Sequence, residues 1–213
     1  MLGPNYAQRE RHAMVDTLRE AGPDAPTLCD GWTTRDLVVH LVVRERRPDA
    51  APGIFVPVLS EYTDRVSRSV AGTDWDELLT TIDDGPPWFS PLKAIDRVAN
   101  LAEMFVHHED VLRGGADPNS PWMPRALTSG MESALELPLK TVGRMTLSSS
   151  PARITLGTGD GRPLLTAGKG SPVTVTGSVG ELLLFAYGRK PVDVEVTGAP
   201  SVVAKVLGAE RSV

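Results

Sequence analysis

Hydrophobic positions recur at intervals of three and four residues through most of the first 146 residues, which is the spacing of amphipathic helices. Glycine and proline separate these apolar runs and mark where helices end. The pattern predicts helices at 4–21, 33–47, 54–70, 74–82, 91–113 and 124–147. Pro138 falls inside the last of them and is expected to kink it. The N-terminal part of the chain is therefore predicted to be a helical bundle.

The pattern changes after Pro151. Two short β-prone runs, 152–156 and 163–167, flank an Asp-Gly turn at 160–161, which predicts a β-hairpin. Further strands are predicted at 173–175 and 192–196, and short helices at 178–188 and 201–207. Half of the 20 glycines lie after residue 146. We therefore predict two domains: a helical bundle over residues 1–147, and a small α+β domain with an antiparallel sheet over residues 151–213.

Composition excludes several classes of protein. The net charge of −5 argues against binding to the phosphate backbone of nucleic acids, which requires an excess of Lys and Arg. The longest apolar stretches fall far short of the ~18 residues of a membrane span, and the N-terminus lacks the pattern of a signal peptide. The single cysteine, Cys29, excludes an internal disulfide and a Cys-rich zinc motif, and it favours a reducing compartment. We predict a cytoplasmic protein.

Four histidines limit the search for a metal or catalytic site. Glu103 and His107 are four residues apart on a predicted helix, so they share one face and can reach a common ion. Their stripe borders the apolar arc of that helix. His40 lies between apolar neighbours on another helix and is expected to point inward. Two histidines and one carboxylate are ligands that suit zinc with an open fourth position, and equally suit iron or nickel.

The same spacing also has a purely structural interpretation. In that case His40 is a core histidine, and Glu103 and His107 form a surface pair that adds a few tenths of a kcal/mol to the stability of the helix.

If the three residues do bind a metal, Asp36 and Asp110 are candidate acceptors for the N–H groups of the ligand imidazoles. Cys29 is either a reactive thiol or a small buried apolar side chain.

The two remaining histidines, His108 and His12, are predicted to have no role in the site. His108 is about 140° around the helix from Glu103 and is expected to be structural or exposed. His12 lies among charged residues and is expected on a solvated helix face.

Residues 27–45 carry a sequence motif that goes beyond spacing. The segment TLCDGWTTRDLVVHLVVRE resembles the signature of DinB-like metal-binding helical bundles. More specifically, it is similar to the N-terminal domain of the mycothiol-dependent maleylpyruvate isomerase family. The resemblance implies a four-helix bundle that holds one divalent metal ion, usually zinc. It places the ligands at positions that match His40, Glu103 and His107.

The C-terminal part is similar to the second domain of the same family, a sterol-carrier-like α+β unit. The segment ELLLFAYGR at 181–189 carries this resemblance, which implies that Arg189 helps to bind substrate or thiol. A basic residue that closes a helix C-terminus is the alternative interpretation of Arg189.

The resemblance implies a mycothiol-dependent isomerase or transferase that acts on a small electrophile. Its partners are then a small thiol and an electrophilic substrate. The segment RERRPD at 44–49 favours a separate branch of the superfamily. The alternative function is a metal-binding module or regulator without turnover.

Overall fold

The computed structural model describes residues 5–54, 56–87, 99–209 and 211. The chain divides into two compact units, Met1–Gly115 and Ala116–Val213. Among the described residues, no helix combines the length and the apolar character needed to cross a membrane.

The N-terminal unit is helical, as predicted. Its described part contains α1 (Tyr6–Ala21), α2 (Thr34–Arg46), α3 (Ser60–Ala71), α4 (Trp75–Asp83) and α5 (Ala99–Leu112), with 3-10 turns at Ala51–Ile54 and Pro57–Leu59. The predicted start of the fifth helix near residue 91 lies outside the described residues. The third helix begins later than predicted, because Pro57 and its neighbours form a 3-10 turn and the α-helix starts at Ser60.

Polar side chains cap the first turns of three helices in the described part of the N-terminal unit. The Asn5 side chain caps α1 and that of Asp74 caps α4. Thr33 and Asp36 form a complete capping box at the start of α2. Helix α2 therefore has a fixed first turn, and the position of His40 follows from it.

A buried ion pair ties three of these helices together. The Arg11 guanidinium donates to both oxygens of Glu45, at 2.6 and 2.9 Å, and to the carbonyl of Ile82 at 2.9 Å. These residues lie on α1, α2 and α4. The surrounding core is apolar and includes Met14, Leu18, Leu37, Leu41, Leu78 and Ile82.

The C-terminal unit combines helices with a four-stranded sheet. Its elements are α6 (Ser129–Leu147), β1 (Ala152–Gly157), β2 (Pro163–Ala167), β3 (Ser171–Gly177), α7 (Val179–Ala186), β4 (Val194–Gly198) and α8 (Pro200–Gly208). The strand order is β2-β1-β3-β4. Pro138 lies inside α6, where the sequence places it. The predicted class, a helical N-terminal part followed by an α+β part, is confirmed.

The sheet is mixed, which corrects the prediction of an antiparallel sheet. The β1–β2 hairpin and the β3–β4 pair are antiparallel, but β1 and β3 are parallel. The chain leaves β2 and passes the start of β1 within residues 168–170 to reach its other side. Gly168 makes this crossing possible: its φ is 78°, and a Cβ there would lie 2.2 Å from the carbonyl oxygen of Ala152.

The boundary between the two compact units, at residues 115 and 116, lies earlier in the chain than the boundary between the predicted domains, 1–147 and 151–213. Helix α6 packs on β2 and α7, so its contacts place it in the C-terminal unit. The predicted ranges stay a prediction about domain organisation.

Candidate metal centre

Helices α2 and α5 bring together the three side chains that the sequence singles out. Glu103 and His107 lie one turn apart on α5, and His40 faces them from α2. Oε1 of Glu103 is 3.7 Å from Nε2 of His40 and 3.3 Å from Nε2 of His107. One potential ligand atom from each residue lies within 4.8 Å of the other two.

The spacing of these atoms fits a metal ion. Ligand atoms at 2.0–2.1 Å from a tetrahedral zinc ion are about 3.3 Å from one another. The three side chains keep between 11 and 20% of their surface exposed, so the site is shielded and still open to solvent. An ion bound to these three side chains would keep one position open to solvent, as catalytic zinc sites do. The two imidazoles and one carboxylate also suit nickel or iron.

The segment before α2 positions one wall of this site. The N–H of Trp32 donates to the carbonyl of Cys29 at 2.9 Å, closing a turn in which Gly31 has a φ of 74°. This turn places the indole of Trp32 with its ring centroid 5.2 Å from that of His40. The carboxylate of Asp36 accepts hydrogen bonds from Thr33 instead of the expected one from a ligand imidazole. The Gly-Trp-Thr motif thus shapes the loop beside the site.

Asp110 orients His107, as the sequence predicts. Its side chain is fully buried, and Oδ2 lies 3.0 Å from Nδ1 of His107. Because a carboxylate only accepts, Nδ1 must donate, which leaves Nε2 free to face Glu103. The Cys29 thiol also donates to Oδ2, at 3.2 Å. Cys29, His107 and Asp110 form a second group whose ligand-type atoms lie within 4.8 Å of one another. In this group the Cys29 thiol and Nδ1 of His107 both donate hydrogen bonds to the Asp110 carboxylate.

Arg44 adds a fixed positive charge. Its Nε lies 3.4 Å from Oε1 of Glu103, and Nη1 donates to Oδ1 of Asn100 at 3.2 Å. Burial alone raises the pKa of Glu103, but hydrogen bonds with His107 and His40 and the charge of Arg44 hold that pKa well below its usual value. Glu103 is therefore an anion at neutral pH, as a ligand must be.

His107 is held in its protonated form when no metal is bound. Burial alone lowers its pKa, but hydrogen bonds with Asp110, Cys29 and Glu103 raise that pKa well above 6.5. The proton on Nε2 of His107 therefore lies between this imidazole and Glu103, where the proposed metal ion would bind.

This proton makes metal binding depend on pH. A metal ion must displace it, so we expect about one proton released per ion near neutral pH. Below the raised pKa, the apparent affinity falls about tenfold for each unit of decreasing pH, and above that pKa it becomes independent of pH. Calorimetric titrations in buffers of different ionisation enthalpy measure the released proton. A release of zero at pH 7 contradicts the assignment.

Replacing Asp110 tests how His107 is positioned. In Asp110→Asn the acceptor loses its charge, and we expect zinc affinity to fall by about tenfold to a hundredfold. A competition titration against a chromophoric chelator measures this change. Asp16→Asn is the control for the change of charge, since its exposed carboxylate pairs with Arg19 on α1. Equal affinities in the two variants would show that Asp110 has no special role.

The other candidate residues lie apart from the three ligand atoms or in the other unit. His12 is exposed beside Asp83, as predicted. His108 is buried between Glu10, at 2.7 Å, and Thr17, at 2.9 Å, so it is structural. Arg189 is half-buried in the C-terminal unit, where its backbone N–H donates to Leu184 at the end of α7. Its part in binding stays a prediction.

Two residues of the site were not selected from the sequence. Arg44 is four residues after His40, so the helical spacing puts both on one face of α2. Trp32 belongs to the recognised motif, but its position next to the His40 ring depends on the turn at Gly31. The first could have been found from helical spacing, whereas the second requires the structure.

Comparisons with known proteins agree with this architecture. Residues 7–53, which include His40, match the family model described as the mycothiol maleylpyruvate isomerase N-terminal domain. The crystal structure of the mycothiol-dependent maleylpyruvate isomerase matches with a TM-score of 0.54 and 13% identity, over 90% of this chain and 88% of that chain. A histidine-to-alanine variant of that enzyme matches with a TM-score of 0.56 and 13% identity, over 92% and 93%.

No match was found among curated protein sequences. At 13% identity the structural similarity establishes the fold, and the match over residues 7–53 adds the sequence evidence for the N-terminal part. Residues 7–53 are similar in sequence to the mycothiol maleylpyruvate isomerase N-terminal domain, and the chain has the fold of the mycothiol-dependent maleylpyruvate isomerase.

Proposed function

We propose that His40, Glu103 and His107 bind one divalent metal ion, with zinc as the first expectation and nickel or iron as alternatives. The observation that carries this proposal is the convergence of three ligand-type atoms from α2 and α5 within 4.8 Å. The buried carboxylate of Asp110 behind His107 supports it, because metal-binding histidines usually donate their second N–H to such a group.

The charges around the site favour an anionic ligand. With both imidazoles neutral, Arg44, Glu103 and Asp110 sum to −1, and a divalent ion brings the site to +1. A thiolate neutralises that charge. When bound, such an ion is a Lewis acid that lowers the pKa of a thiol or water in its open position. Arg44 and Asp110 hold the carboxylate and the imidazole in place around that position.

We propose that the protein is a thiol-dependent isomerase or transferase acting on a small electrophile. Its cosubstrate is then mycothiol, by analogy with the isomerase whose fold it shares. The thiolate forms a C–S bond with the electrophile. In an isomerisation this bond breaks again and the thiolate leaves, whereas in a transfer the bond stays and the adduct takes up the proton that the thiol lost. Arg189 is the proposed contact for thiol or substrate from the C-terminal unit. Since a free thiol needs reducing surroundings, we place the protein in the cytoplasm.

The test is a reaction that requires both the thiol and the site. Zinc-loaded protein is incubated with mycothiol and small electrophiles, maleylpyruvate among them, and products are separated by chromatography. We expect conversion that needs mycothiol, disappears in His40→Ala and decreases in Arg189→Gln. Conversion at the same rate in His40→Ala contradicts the proposal. Metal binding without conversion of any electrophile favours the alternative, a metal-binding module or regulator.

A further inference from the structure

The two histidines of the proposed site are held in different ways. Nδ1 of His107 donates to the buried carboxylate of Asp110 at 3.0 Å. His40 directs Nε2 toward Glu103, so a neutral His40 that binds an ion through Nε2 carries its proton on Nδ1. Within the part of the chain that the structure describes, no protein group accepts a hydrogen bond from this second nitrogen. Because metal-binding histidines usually have such an acceptor, the orientation of His40 must come from another contact.

Aromatic rings contact the His40 imidazole instead. The ring centroid of Trp32 lies 5.2 Å from that of His40 with an interplanar angle of 50°, and the His107 ring lies edge-on at 5.6 Å. Tilted and edge-to-face arrangements with centroids about 4.5–7 Å apart are the preferred geometries of aromatic pairs. Among the described residues, Trp32 is thus the aromatic contact of His40 that comes from outside the three proposed ligands.

The loop that carries Trp32 is fixed by its own backbone. The N–H of Trp32 donates to Cys29, and its carbonyl accepts from the N–H and the hydroxyl of Thr27 at 3.2 and 3.0 Å. The N–H of Leu28 donates to the carbonyl of Asp110 at 2.9 Å, which ties the same loop to α5. The indole itself is 37% exposed. The loop therefore does not depend on burying the indole, and the indole lies on a fixed support beside His40.

We propose that Trp32 is a positioning residue for His40, with the role that Asp110 has for His107. With the indole in place, the imidazole keeps one χ1 rotamer and presents Nε2 to the ion. Without the indole, the imidazole can enter other staggered wells, and metal binding has to select one of up to three. This inference rests on the proposed function, since it assigns Trp32 to the metal site, but the metal-free protein provides an independent test of it.

Three variants separate the ring of Trp32 from the surface that it covers. Trp32→Ala removes the ring, and Trp32→Phe keeps an aromatic ring at the same place. Leu59→Ala is the control for losing a similarly exposed apolar side chain, since Leu59 is 44% exposed. Three-bond couplings about χ1 of His40, measured by NMR on metal-free protein, report how many rotamers are populated. Competition against a chromophoric chelator gives the zinc affinity, and circular dichroism confirms folding.

We expect one His40 rotamer in the wild type, Trp32→Phe and Leu59→Ala, and averaged couplings in Trp32→Ala. Zinc affinity falls about threefold to tenfold in Trp32→Ala, the range that an aromatic pair contributes, and changes by less than about twofold in the other two variants. Averaged couplings in the wild type overturn the inference, as does a single rotamer or an unchanged zinc affinity in folded Trp32→Ala. If none of the proteins binds zinc, the proposed function fails, and the couplings alone decide whether Trp32 positions His40.

Discussion

Replacing His107 by glutamine is expected to abolish metal binding, whereas the same replacement at His108 leaves it intact. In the proposed site His107 supplies one of three ligand atoms, and its Nε2 lies 3.3 Å from Oε1 of Glu103. Glutamine has no imidazole nitrogen and cannot keep the geometry that Asp110 imposes. Loss of an outer partner costs about tenfold to a hundredfold in metal affinity, so loss of a ligand is expected to cost at least a hundredfold.

His108 is the matched control because it is the next residue of the same helix. Its ring nitrogens bond to Glu10 and Thr17, away from the three ligand atoms. We expect His108→Gln to bind zinc like the wild type, although it loses about 1–3 kcal/mol of stability through its unpaired buried partners. Competition against a chromophoric chelator gives the affinities, and circular dichroism confirms folding. Retained zinc in folded His107→Gln would remove this residue from the site.

Replacing Arg11 by methionine is expected to lower the free energy of unfolding more than replacing His108 or Arg19 does. Arg11 and Glu45 have side chains that are only 2 and 1% exposed, and the guanidinium also donates to the carbonyl of Ile82. The variant leaves Glu45 as an uncompensated buried charge, which costs about 3–5 kcal/mol. Urea denaturation followed by circular dichroism measures this loss in the free energy of unfolding.

Arg19→Met on the same helix provides the comparison. Arg19 pairs with Asp16 at 2.9 Å, but both side chains are more than half exposed. Such a pair contributes little, so the expected change is within about 0.5 kcal/mol. The double variant Arg11→Met with Glu45→Met is expected to recover part of the loss, because it removes both buried charges. Equal urea midpoints for Arg11→Met and Arg19→Met would contradict this account of the core.

The local features of the site could be predicted from the sequence because they depend on near neighbours. The capping box of Thr33 and Asp36 fixes the start of α2, and the four-residue spacing of Glu103 and His107 places both on one helix face. The inward direction of His40 follows from its apolar neighbours. Spacing alone left two interpretations, a shared metal site or a core His40 with a separate surface pair of Glu103 and His107. The resemblance of the Gly-Trp-Thr segment favoured the metal site.

Other features depend on contacts between distant segments. The parallel pairing of β1 and β3 requires the chain to cross the start of β1, which only the approach of Gly168 to Ala152 reveals. The grouping of α6 with the sheet depends on packing against β2 and α7, whereas composition changes only after that helix. Strand and helix periodicity carry no information about either arrangement.

The most direct test of the central claim is the metal content of the purified protein. Elemental mass spectrometry on tag-free wild type, His40→Ala and Glu103→Ala, each reconstituted with zinc, nickel or iron and checked for folding, gives the number of ions per chain. We predict about one equivalent in the wild type and its loss in both variants. No bound metal in the reconstituted wild type, or the same content in all three proteins, would contradict the assignment of His40, Glu103 and His107 as ligands.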